Sequence, residues 1–149
     1  MTAAGAPEAM DESPDVERRR AWHYRQLKWS VQALALRAPE QLVLFPDFVA
    51  TADELAMELD HWATLVLEAY GKDLTGSQAA DLKALHDKLA IMSRDRDEFD
   101  ADLWTESALG SSVHWQEVRA LAVAVRDAFG WSVEANPEAV GSDLTSDTS

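Results

Sequence analysis

The stretch TADELAMELDHWATLVLEAYG, residues 51–71, decides the fold class. Leu55, Leu59, Trp62, Val66 and Tyr70, joined by Ala63 and Ala69, recur at about 3.6 residues per turn, the mark of a helix with one apolar face. Thr51-Ala52-Asp53-Glu54 has the form of a capping box at its start, and Gly71 offers a stop at its end. No alternation of period two competes with this pattern, so the segment is predicted as a long amphipathic helix.

Downstream the same signals repeat. Thr75-Gly76-Ser77-Gln78 is a second capping box, followed by Leu82, Leu85, Leu89 and Met92 at heptad-like spacing to about Ser93. After the Asp-rich run from Asp95 to Asp102, residues Leu103 to Leu109 predict a short helix carrying Trp104, and Gly110-Ser111-Ser112 a break. Ser111 or Ser112 then caps a last long helix with the stripe Val118, Leu121, Ala122, Val125 and Phe129, ended by Gly130, with Trp131 and Val133 folding back.

Upstream, Ser13-Pro14 marks the start of a first helix, with Asp15 and Glu17 suited to its positive end, running to about Arg37 because Pro39 makes Ala38 extended. Its apolar residues form two stripes: Tyr24, Leu27, Val31, Leu34 and Ala38 on one side, and Trp22, Trp29 and Leu36 nearly opposite. Such a helix is either sandwiched between neighbours or presents one stripe to a partner. The run Leu42-Val43-Leu44-Phe45-Pro46-Asp47-Phe48 is too short to pack as a helix and reads as an extended or turn-like connector, or a short strand, feeding apolar groups to the core. The predicted architecture is all-α: an irregular antiparallel bundle of about four main helices with one or two short extra ones over residues 13–133, flanked by disordered acidic tails at 1–12 and 134–149.

Charge is distributed unevenly. The 149 residues hold 13 Lys+Arg against 27 Asp+Glu, a formal charge of −14. Yet between residues 18 and 37 stand Arg18, Arg19, Arg20, Arg25, Lys28 and Arg37 with no acid at all. One basic helix therefore belongs to an acidic protein. It either pairs with carboxylates of its own bundle or faces a partner, and the net charge of −14 argues against nucleic acid.

The absence of cysteine excludes disulfides, thiolate chemistry and cysteine-held metals. Acids at Glu8, Asp11 and Glu12, and the lack of any run approaching eighteen uncharged apolar residues, lead to the expectation of a cytoplasmic chain without signal peptide or membrane span. Its alanine richness has a bacterial cast.

Motifs that could carry chemistry are sparse. Glu58-Leu59-Asp60-His61 contains Glu-x-x-His, the spacing used in di-iron bundles, with Glu54 one turn earlier; a metal reading would rest on Glu54, Glu58 and His61. The second copy that such a centre needs is missing, since Arg20, Lys83 and Ser111 stand three places before the other histidines. The Asp95–Asp102 run fails as a calcium loop, having Phe99 and Asp100 where a ligand and a glycine belong. No nucleophile elbow or phosphate-cradling glycine loop occurs, and Ser111-Ser112 before His114 is explained by capping.

The expectation is therefore a protein that works by binding and not by catalysis, with no cofactor. An immunity or antitoxin-like inhibitor of a basic protein is its concrete form, with Glu54, Glu58, Asp60, Asp81 and Asp87 on acidic faces. A partner protein or a second copy could instead meet the first helix at Arg18, Trp22, Arg25, Trp29 and Leu36.

Overall fold

A computed structural model describes residues 14–46, 50–94 and 101–131. The predicted tails, Ser13, Asp47, Phe48, the acidic run up to Asp100 and Val133 lie outside the described residues.

The fold is an all-α bundle with six helices among the described residues: α1 (Pro14–Ala35), α2 (Ala38–Leu42), α3 (Thr51–Tyr70), α4 (Gly76–Arg94), α5 (Glu106–Ser111) and α6 (Val113–Phe129). The four long ones, α1, α3, α4 and α6, run up and down. Arg20 near the start of α1 meets Asp73 just beyond the end of α3, His86 of α4 meets Asp60 and Thr64 of α3, and Gln78 at the start of α4 reaches the Ala128 carbonyl at the end of α6. Because α1 packs on α3 and α6, and α4 packs on the same two, α1 and α4 stand at opposite corners. Among the described residues, no helix is long and apolar enough to cross a membrane.

The core follows the predicted stripes. Leu55, Leu59, Ala63 and Val66 of α3, Leu82, Leu85, Leu89 and Met92 of α4, and Val118, Ala122 and Val125 of α6 are all buried. In α1 the stripe of Leu27, Val31 and Leu34 is buried too, and so are Ser30, Gln32 and Ala33 beside it. The second half of α1 is thus enclosed nearly all round, which is why its outer residues Trp29 and Leu36 pack against the core as well. Trp29 is covered by Phe45, edge to face at 5.9 Å, from the bend after α2, where Leu44 is also buried. Of the predicted connector, Leu42 ends α2 instead of opening an extended stretch, Leu42, Leu44 and Phe45 turn to the core, and Val43 stands 71% exposed.

Local chemistry departs from the sequence reading at several helix ends. The break after α1 falls on Arg37 (ψ 158), not on Ala38, which instead opens α2 with Pro39 in its first turn, a place where a missing N–H costs nothing. Thr51 does not cap α3: it lies inside the first turn and is buried, and the capping position is Ala50. Gly71 does not stop α3 in the left-handed region either; its φ of −55° lets the chain tighten into a 3-10 turn over Gly71–Asp73. Trp104 belongs to a 3-10 turn (Ala101–Trp104), and the short helix begins after it, where the Thr105 hydroxyl accepts from the Ala108 N–H at 3.1 Å; that helix continues through Gly110 to Ser111.

Three ends form as read, the first being the Ser112 cap at the start of α6. Gly130 takes φ +73° to close α6, a conformation that glycine adopts without a Cβ penalty, and Trp131 stacks back on Phe129 at 4.5 Å. At the start of α4, the Gln78 N–H donates to the Thr75 hydroxyl at 3.1 Å while the Thr75 N–H donates to the Gln78 side chain at 2.9 Å. Thr75→Ala should lower stability by about 1 kcal/mol in urea denaturation, and Thr75→Ser should retain most of it.

Candidate functional site

The helix faces left over after core packing define the surfaces. On α3, Asp53, Met57 and Asp60 stand four and then three residues apart, so they share one outward stripe beside the buried Leu55 and Leu59. On α4, His86, Leu89, Ala90 and Ser93 form the facing stripe. With Ala56, His61 and Trp104 these residues line a cleft of about 520 Å³ between the two helices. Met57 is 62% exposed there, a large apolar side chain between two carboxylates, and Ile91 of α4 is also exposed.

The polar wall of the cleft is organised around Asp60. Its Oδ1 accepts from His86 Nε2 at 2.7 Å, which places the imidazole proton on Nε2, since a carboxylate can only accept. The Thr64 hydroxyl lies 3.3 Å from the same nitrogen, and Nδ1 faces Asp87 at 3.9 Å. In a hydrolytic relay the nucleophile and the carboxylate bind opposite nitrogens of the histidine. Here hydroxyl and carboxylate share one nitrogen, so this trio does not form such a relay. Ser93, also in the cleft, donates its hydroxyl to the Leu89 carbonyl of its own helix at 3.1 Å.

Trp104 closes the cleft from the 3-10 turn and packs edge to face on Trp115 at 5.5 Å. Its Nε1–H is buried and meets no acceptor among the described residues.

Two of the three metal candidates are engaged by Trp62. Glu58 Oε1 accepts from Trp62 Nε1 at 3.0 Å, His61 lies edge-on against the Trp62 ring at 4.4 Å, and Glu54 sits half-buried in the first turn of α3. Among the described residues, no three His, Asp or Glu side chains gather in a way that could hold a metal ion. His61 and Asp60 meet at the cleft, whereas His114 is elsewhere: its Nδ1 accepts from Lys88, which also pairs with Glu117 and holds that carboxyl below its usual range. Ser112 caps α6 by accepting from the His114 N–H.

The basic helix divides in two. Arg20 turns inward, lying over the Tyr70 ring at 5.2 Å and 3.4 Å from Asp73. Arg18 pairs with Asp15 in its own first turn, and Arg37 with Glu40. Arg19 and Arg25 are exposed, and among the described residues no carboxylate pairs with them or with Lys28. The predicted Trp22–Trp29–Leu36 stripe is therefore open only at Trp22, 44% exposed and edge to face with Trp62 at 5.2 Å. Beside it His23 Nδ1 meets the Tyr70 hydroxyl at 2.8 Å, and burial, reinforced by Arg19 and His61, pushes its pKa down.

Sequence reasoning named Asp60 and the carboxylates around it but passed over Asp53 as a surface group, Met57 and His86. The Asp53–Met57–Asp60 spacing was a usable signal; the role of His86 emerges only when α4 is laid against α3. No protein-family model, curated protein or solved structure matches the chain.

Proposed function

We propose that the protein acts by binding a basic protein through the α3/α4 face, as an inhibitor of the immunity or antitoxin kind would, in the cytoplasm of a bacterial cell. The observation that carries this reading is the cleft itself: an exposed methionine on an apolar floor, with Asp53 and Asp60 on the same stripe. Apolar centre and charged rim are the anatomy of a protein-binding patch, and methionine adapts to varied partner surfaces. The chain's charge of −14 adds a field that draws cationic partners in and speeds encounter. Self-association through α1 has weaker support, because Trp29 and Leu36 are occupied in packing and Trp22 alone remains open.

A photo-crosslinking residue in place of Met57 tests the proposal in the protein's own cells. The cross-linked partner should be a basic protein, its association should slow steeply as salt rises, and the Asp53→Lys/Asp60→Lys double variant should lose it. A partner captured equally well by the charge-reversed variant, or at a rate indifferent to salt, would refute the reading.

A further inference from the structure

We infer that the α3/α4 cleft is the pocket for one arginine side chain of that basic partner, an assignment that rests on this face being the binding surface. A volume of about 520 Å³ is that of a formed pocket and exceeds what a single long side chain needs, leaving room for the backbone that carries it. Met57, Leu89 and Ala90 supply an apolar bed for the arginine stem.

The head group has a prepared receptor. Because His86 holds Asp60 through Oδ1, the carboxylate is oriented before any guest arrives, and Oδ2 remains for an incoming donor; the Asp60 side chain is 70% exposed. Asp53, two turns earlier on the same stripe, adds a second negative charge. A guanidinium suits this wall better than an ammonium. It is planar and weakly hydrated, carries five donors in a fixed fork, and can stack on the rings of His61 and Trp104.

The test is NMR titration of the full chain, labelled at methionine methyls and tryptophan indoles, with N-acetyl-arginine methylamide. Met57 methyl and Trp104 indole signals should shift saturably while the buried Met92 methyl stays still. Asp60→Asn and, independently, Asp53→Asn should weaken the probe, Asp60→Asn by about tenfold. The lysine analogue should bind more weakly and the uncharged norleucine analogue should leave the spectrum unchanged. Absence of saturable shifts, a norleucine response equal to that of arginine, or a static Trp104 indole would overturn the assignment. If the probe fails while charge reversal still abolishes partner cross-linking, only the arginine pocket falls; if the probe binds while cross-linking ignores charge reversal, the fault lies with the partner reading.

Discussion

Replacing Trp115 by alanine should cost about 3–5 kcal/mol, a large share of the roughly 5–15 kcal/mol that holds a domain of this size together. Trp115 is the largest fully buried side chain, at 1% exposure. It opens α6, forms the wall on which Trp104 rests, and donates its Nε1–H to the Leu103 carbonyl at 2.6 Å, so it fastens the 3-10 turn to the bundle. Alanine would leave a cavity of indole size and strand the Leu103 carbonyl. Trp115→Phe fills most of the space but still loses the hydrogen bond, and should cost about 1–2 kcal/mol. Chemical denaturation of both variants checks the order; near-equal losses would mean that the hydrogen bond outweighs the packing.

Arg119→Met should cost about 3 kcal/mol although methionine preserves most of the stem's volume. The Arg119 Nε–H donates to the Leu36 carbonyl at 2.6 Å, and Nη2 donates to the Leu109 carbonyl at 3.1 Å and to the Gln41 side-chain oxygen at 3.3 Å. Gln41, fully buried, in turn donates to the Ala33 and Leu34 carbonyls at 3.0 and 3.3 Å. Two side chains thus satisfy the carbonyls that α1 and α5 leave open at their ends. Burial pushes the Arg119 pKa down, yet its partners are all oxygens, so the network pairs dipoles with one charge. Removing the guanidinium strands several buried acceptors at about 1–3 kcal/mol each, offset in part by water. Lysine should not rescue the loss, because one ammonium cannot fork between Nε-side and Nη-side acceptors. The double variant Arg119→Met/Gln41→Leu should cost less than the two single losses together, since each already breaks the same network.

These two sites show what could and could not be read from sequence. The buried stripes of α3, α4 and α6 were legible because periodicity is a local property, and the Thr75–Gln78 cap because both partners lie within one turn. Thr51 and Gly71 misled because capping residues are recognised by identity, while their use depends on the path of the chain: Thr51 is drawn into the core, and Gly71 has a 3-10 turn to continue into. Arg119 had no signature at all. It sits beside an ordinary apolar stripe, and its acceptor at Leu36 is 83 residues away. The cleft is an intermediate case. Asp53, Met57 and Asp60 share a face by arithmetic, but the pairing of Asp60 with His86 needs the antiparallel register of α3 and α4.

The position of α1 between α3 and α6 bears on how the chain is made. Part of the cover of α1 is α6, a helix that starts only at Val113, and the Arg119–Leu36 hydrogen bond joins the two. Loop closure over so many residues must be met before the contact stabilises anything. During synthesis α1 can dock on α3 early but waits for α6 to complete its cover, and until then Arg18, Arg19 and Arg25, exposed in the finished fold, keep its nascent copies apart by like-charge repulsion.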